Sequence, residues 1–192
     1  MAPKIKITKN DIISTAIAIV REKGSEALNA RAVASSLECS TQPIFSNFKD
    51  MNELKDSIIL AAYDIYLNFI KKGLGSEKYP KYKSFGMSYI QFAKEEKELF
   101  KLLFMRDRSG EDISPSSDFE ESVQMIMQAN GVSDETARLI HLEMWSCVHG
   151  IAVMTVTSFL SLEWELISDM LTDVYRGLCA KHLSEENKNA GN

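Results

Sequence analysis

Apolar residues recur at helical spacing along almost the whole chain. Ile13, Ile17 and Val20, flanked by Ile12, Ala16 and Ile19, form one stripe that stops at Lys23-Gly24. Glycine suits the residue that follows a helix. Thr8 with Asp11 reads as a capping box at the start of this stripe, with Asp in place of Glu. Asn29 is the next cap, for a short helix to about Ser36 that buries Val33, Ala34 and Leu37. Leu37-Glu38-Cys39 then makes a three-residue turn. Ser40 is expected to cap a second short helix to about Phe48, with Pro43 in its first turn, where a missing N–H costs little. Asp50 with Glu53 starts a long helix to about Lys72. Residues 73–83 read as a linker-like break. Helices follow at roughly 84–94, 96–106, 116–129, 133–158 and 162–182, with a loop at 106–115 and a polar, fraying tail from Ser184. No segment alternates with period two and no repeat occurs, so the expected fold is all-α with about nine helices.

Composition narrows this picture modestly. The 192 residues suit one domain or a small domain joined to a larger one. Cys39, Cys147 and Cys179 form neither a closed disulfide framework nor a CxxC pair. With no apolar leader after Met1, they point to a cytoplasmic chain. Met144 to Leu162 is a 19-residue stretch without Asp, Glu, Lys or Arg. It carries Ser146, His149, Gly150, Thr155, Thr157, Ser158 and Ser161, and so reads as a helix buried in protein, not in lipid. Charge is uneven: residues 1–55 hold eight basic and six acidic side chains, and the remainder fourteen and twenty-one. A polyanionic partner would therefore meet the N-terminal end.

Two short helices joined by a three-residue turn, over residues 29–48, make a helix-turn-helix, the unit whose second helix enters the DNA major groove. Ile44 and Phe48 are spaced to face the core, which leaves Thr41, Gln42, Ser46 and Asn47 outward. These are neutral hydrogen-bonding side chains of the kind that read base edges and phosphates. From Thr8 to Leu54 the chain resembles, without a gap, the DNA-binding domain of the TetR family of transcriptional repressors. The resemblance rests on Ala16, Gly24, Glu26-Ala27, Arg31-x-Val33-Ala34, Ser40-Thr41-Gln42-Pro43-Ile44-Phe45-x-x-Phe48-Lys49 and Glu53-Leu54. It implies an N-terminal domain, residues 1–50, that binds double-stranded DNA through Asn29, Arg31, Ser40, Thr41, Gln42, Pro43, Ser46, Asn47 and Lys49. Lys4, Lys6 and Lys9 would form a basic arm. Glu38 stands where the family turn usually has Gly, Phe45 where Tyr is usual, Ser46 where an aromatic is common and Met51 where Lys is common. These departures imply a weaker electrostatic grip than a typical member has.

The remainder, residues 51–192, is expected to be a helical effector-binding and dimerisation domain, joined to the first by the 51–72 helix. Tyr89-Ile90-x-Phe92-Ala93, Leu99-Phe100-x-Leu102 and Trp145…His149-Gly150 resemble the regulatory domains of one TetR-family subset. The 133–158 helix is apolar on nearly every side and must be covered from more than one direction. With the seam Ile167, Leu171, Val174 and Leu178 on the last helix, Val148 and Ile151 suggest a four-helix dimer interface. Phe92, Met125, Trp145 and His149 are the candidate pocket residues. No Glu-x-x-His pair, phosphate-binding glycine loop or GxSxG occurs, so no metal, cofactor or enzymatic activity is expected. The sequence reads as a homodimeric, ligand-responsive repressor that binds a pseudo-palindromic operator. The alternative is a helical ligand-binding or interaction protein that has kept the fold and lost specific operator binding.

Overall fold

The structure, a computed structural model, describes residues 7–110 and 117–190. Lys4 and Lys6, expected in a basic arm, lie outside the described residues. Among those described there are nine α-helices and no strand: α1 Lys9–Lys23, α2 Ala30–Ser36, α3 Gln42–Asn47, α4 Met51–Leu74, α5 Lys81–Glu95, α6 Lys97–Phe104, α7 Ser117–Asn130, α8 Asp134–Val156 and α9 Trp164–Ala190. The all-α expectation holds. A short 3₁₀ turn, Ser25–Ala27, joins α1 to α2. The chain forms two compact units, one of residues 1–68 with 95–107, the other of residues 69–94 with 108–192. Residues 97–104 thus pack with the N-terminal helices, although they lie far along the chain.

In the first unit, α1 packs against α2, α3 and α6. Thr8 Oγ1 accepts the Asp11 N–H at 3.2 Å and Asp11 Oδ2 accepts the Thr8 N–H at 2.8 Å, closing the expected capping box. Ile12, Ala16 and Val20 on α1 are fully buried, as are Leu99 and Phe100 on α6. Arg21 donates to both carboxylate oxygens of Glu96 at 2.8 and 2.6 Å, which pins α1 to the start of α6. Asn29 caps α2, its Oδ1 accepting the Ala32 N–H at 3.0 Å. α2 ends in a Schellman turn: the Cys39 N–H donates to Ala34 O at 3.0 Å and the Glu38 N–H to Ser35 O at 3.2 Å. That motif requires a left-handed residue, and Glu38 occupies it with φ 50°. The cap of α3 differs from expectation. Thr41, not Ser40, is the N-cap residue, and its side chain makes no capping bond. The first helical N–H groups, of Ile44 and Phe45, donate to the Thr41 carbonyl at 3.1 and 3.3 Å, which puts the helix start at Thr41 and leaves Ser40 in the turn. Asp50 caps α4 as expected, its Oδ1 accepting the N–H groups of Asn52 and Glu53 at 2.9 and 3.0 Å.

In the second unit, α8 packs against α7 and α9. Ser133 caps α8 through the Thr136 N–H at 3.3 Å. The buried stripe of α8 runs Ala137, Ile140, Met144, Val148, Ile151, Ala152 and Val156. α8 is long and apolar enough to cross a membrane by length and composition alone. Its seven-residue stripe nevertheless faces protein. α8 ends in a second Schellman turn, with Ser158 left-handed at φ 54° and the Phe159 N–H on Met154 O at 3.0 Å. The end of α4 and α5 meet closely: a Cβ on Gly73 would lie 1.7 Å from Ser88 Oγ and 2.8 Å from its Cβ. Two boundaries differ from the sequence reading. α5 starts at Lys81, directly after Pro80, inside the stretch read as linker. α9 does not fray at Ser184 but runs to Ala190. Its last turns have partners elsewhere in the unit: His182 Nε2 lies 2.7 Å from Glu143 Oε2, and Glu186 Oε1 accepts the Ser133 N–H at 2.9 Å.

The left-handed Glu38 gives a direct test of the turn. A side chain with a Cβ costs about 1–2 kcal/mol in this conformation, which glycine avoids. Glycine gives back part of that through backbone entropy. Glu38→Gly should therefore raise stability, by at most about 1 kcal/mol, in thermal unfolding without DNA. A melting temperature below that of the wild type would contradict the turn geometry.

Candidate nucleic-acid interface and ligand cavity

Six residues make a very short helix, and α3 is held by its neighbours. Ile44 and Phe48 are buried in the first unit, with exposures of 0% and 1%. With those two inward, Gln42, Phe45 and Ser46 are exposed and Thr41, Pro43 and Asn47 half-buried. Asn29, Arg31, Ser40 and Lys49 are also exposed. The structure therefore brings the expected DNA-facing residues to one helix-turn-helix, with Ile44 and Phe48 beneath it. Several of their polar atoms are engaged locally. Ser46 Oγ donates to Gln42 O at 2.9 Å and Asn47 Nδ2 to Pro43 O at 2.8 Å. The Lys49 N–H donates to Glu53 Oε2 at 2.7 Å, and the same carboxylate accepts Lys9 Nζ at 3.3 Å. Those bonds, the Lys49 N–H first, hold the Glu53 carboxyl below its usual range. Lys9 also sits 4.6 Å from the Phe48 ring centroid. Sequence reasoning had placed it in an arm.

The second unit holds a half-open cavity of about 620 Å³. Phe85, Met125, Met144, Trp145, Val148 and Leu171 supply its apolar wall, and Tyr82, Lys83, His141, Thr172, Tyr175 and Arg176 its polar groups. Of the four pocket candidates, Met125 and Trp145 line it. Phe92 does not: it is fully buried and packs edge-on to Phe69, with ring centroids 5.4 Å apart. His149 stands behind the wall, stacked on Trp145 at 4.9 Å, with Nδ1 2.9 Å from Tyr89 Oη. Tyr82, Lys83, Thr172, Tyr175 and Arg176 were missed. The signal for the first two was Pro80, which marks a helix start just ahead of them.

The residues expected on a dimer seam divide. Val148, Ile151, Ile167 and Leu171 are buried within the chain's own second unit, while Val174 and Leu178 are half-buried. The large apolar side chains left exposed in this unit are instead Leu139, Leu142 and Trp145 on α8, Leu166 on α9 and Phe159 and Leu160 between them.

Two histidines sit in this unit without charge. Tyr82 Oη lies 3.0 Å from His141 Nδ1, and the rings of Tyr82 and Phe119 stand edge-on to the imidazole. Burial pushes His141 down to about 4 and lowers His149, and it raises the phenols of Tyr82 and Tyr89 above their usual range. Between the ordinary histidine value of 6.5 and about 4, the unfolded chain binds a proton at position 141 that the folded one does not. Stability is thus full above 6.5 and falls as pH drops toward 4. Chemical denaturation across that window should show a shallower pH slope for His141→Gln than for the wild type. Identical slopes would show that His141 titrates normally in the fold.

Residues 82–175 match the family described as the tetracyclin repressor-like, C-terminal domain. No curated protein matches. Among solved structures, a TetR-like transcriptional regulator from Rhodococcus sp. RHA1 is similar at TM-score 0.67 and 13% identity, covering 88% of this chain and 94% of that one. A protein of unknown function from the same organism reaches TM-score 0.71 at 19% identity, over 93% and 100% of the two chains. A TetR variant from Acinetobacter baumannii AYE, in complex with minocycline, reaches 0.57 at 14% identity, over 94% and 99%. Residues 82–175 are thus a tetracyclin repressor-like C-terminal domain, and the whole chain has the fold of TetR-like regulators.

Proposed function

We propose that the chain is a cytoplasmic, ligand-responsive repressor that binds a pseudo-palindromic operator as a homodimer, with residues 1–50 reading DNA and 51–192 carrying the effector and dimer surfaces. The observation that carries this reading is the packing of α3. Its core positions are inward and Thr41, Gln42 and Pro43 are presented together at its N-terminal end, the end that meets base edges in this motif. Arg31, Asn47 and Lys49 are the proposed phosphate contacts, with Asn29, Ser40 and Ser46 beside them. Arg31 makes no ion pair among the described residues. The cavity in the second unit is the proposed effector site. Its volume lies in the range of pockets that enclose a small molecule.

A different class of reading has one observation in its favour. Between residues 29 and 49 the cations are Arg31 and Lys49, and Glu38 is exposed at the turn. A surface so lightly charged suits an interaction protein that no longer grips DNA. The two readings part on sequence preference. Selection from random duplexes should return a two-fold site. Gln42→Ala should then lose about 1–3 kcal/mol at one position per half-site, and Lys49→Ala should weaken all sequences alike and flatten the salt slope by about one unit. Salt-driven affinity that is equal for every duplex would sink the repressor reading.

The dimer surface we favour is the outward side of α8, opposite its buried stripe, where Leu139 and Leu142 are 44% and 53% exposed. Leu166 and the Phe159–Leu160 turn extend the apolar area. Sedimentation at micromolar concentration should give a dimer. Leu142→Glu should shift it to a folded monomer, because that side chain contributes little to the chain's own core. A wild-type monomer under those conditions would remove the homodimer from the proposal.

A further inference from the structure

The charges around the cavity are one-sided. Among the described residues that line it there is no aspartate or glutamate, whereas Lys81, Lys83 and Arg176 are all present. The chain as a whole carries a net charge of -5, so this bias runs against its composition. None of the three cations makes an ion pair among the described residues. Lys83 is half-buried; its Nζ donates to Thr172 Oγ1 at 2.7 Å and stands 5.1 Å from the Tyr79 ring. An ammonium has three donors, so this contact leaves capacity for a further acceptor. Thr172 offers no second proton, because its hydroxyl already donates to Ser168 O at 3.0 Å. His141, buried and neutral, supplies no charge. The rest of the wall is aromatic and aliphatic, with Phe85, Met125, Met144, Trp145 and Val148 facing a volume of about 620 Å³.

We infer that this cavity takes an amphipathic organic anion, an apolar body bearing a single carboxylate or sulfonate, with Lys83 and Arg176 receiving the head group. The inference rests on the reading of the cavity as the effector site and names the chemistry of what enters it. An unpaired cation beside apolar walls is costly, and an acceptor of opposite charge relieves that cost. A cationic ligand would meet three like charges and no carboxylate. A neutral one would leave the Lys83 donors unmet.

One apolar body with three heads tests this: decanoate, decanol and decyltrimethylammonium, each below its micellar concentration, titrated onto the full chain without DNA. Calorimetry gives affinities, and the fluorescence of Trp145 in a Trp164→Phe background reports occupancy of the cavity. Decanoate should bind at least about tenfold more tightly than the ammonium, since a charge-assisted hydrogen bond is gained in one case and a repulsion in the other. Lys83→Met should weaken decanoate by roughly tenfold to a hundredfold and leave decanol within about twofold. Arg176→Met, at an exposed position, carries the same test should Lys83→Met fail to fold. No binding of decanoate, equal or tighter binding of the ammonium, or decanoate affinity unchanged in the folded variants would each overturn the inference. Decanoate binding with the expected selectivity but without effect on duplex affinity would uphold the ligand class and defeat the effector reading.

Discussion

A helix of six residues does not hold itself. Its nucleation cost is barely offset by the few hydrogen bonds it can close, so tertiary contacts must supply the rest. For α3 those contacts are Ile44 and Phe48, both out of water. Everything the chain presents around residues 41–47 depends on that burial, because turning α3 about its axis would exchange Gln42 for a core position. The Schellman turn before it is the second half of the constraint. It reverses the chain within three residues, and the Cys39 and Glu38 amides are spent on α2's last carbonyls. The strained residue there is glutamate, so part of the stability gained by packing α3 is given up in the turn that delivers it.

The second unit solves a different problem with the same materials. α8 is apolar enough that no single partner covers it. α7 and α9 take one stripe, and the hydroxyls of Tyr82 and Tyr89 sit against the two histidines on another. Those pairs keep both imidazoles hydrogen-bonded while burial keeps them neutral. The cavity lies beside His141 and Trp145 and is lined by large side chains from α5, α7, α8 and α9. What remains outward on α8 is Leu139, Leu142 and Trp145, with Ser146 beside them.

Much of the fold was legible because caps and stripes agree locally. Thr8 with Asp11, Asn29 and Asp50 each announced a helix that the fold contains, and the left-handed residue is Glu38, where the family turn usually has Gly. The errors come from information that a local pattern does not hold. Ser40 carries a capping hydroxyl, but the path of the turn puts Thr41 at the start of the helix. The end of α9 looked polar and loose, but Glu143 and the start of α8 give His182 and Glu186 partners that are distant in sequence. Phe92 and Val148 carry the same helical signal, and whether such a residue meets core, cavity or partner is decided by helices packed from elsewhere. For the wall residues Thr172 and Arg176 the sequence holds no signal, since a polar or cationic side chain on a helix reads as solvated until the neighbouring helix is in place.

A ligand shifts an equilibrium only by its difference in affinity for the two states, and that difference needs an element to carry it. α4 is continuous from Met51 to Leu74, and the unit boundary falls within it, so it is covalently part of both units. Near its end the chain has no slack. Gly73 admits Ser88 at a distance where any β-carbon would clash, so α5 and the last turn of α4 are fitted to each other. α5 also carries Tyr82, Lys83 and Phe85 on the cavity wall. A molecule seated against those three side chains bears on α5, and any shift of α5 at Gly73 must open that close fit or carry the end of α4 with it. Gly73→Ala acts where cavity substitutions do not. It alters the fit between α4 and α5 without touching the cavity lining, so it separates occupancy of the cavity from its consequence along α4.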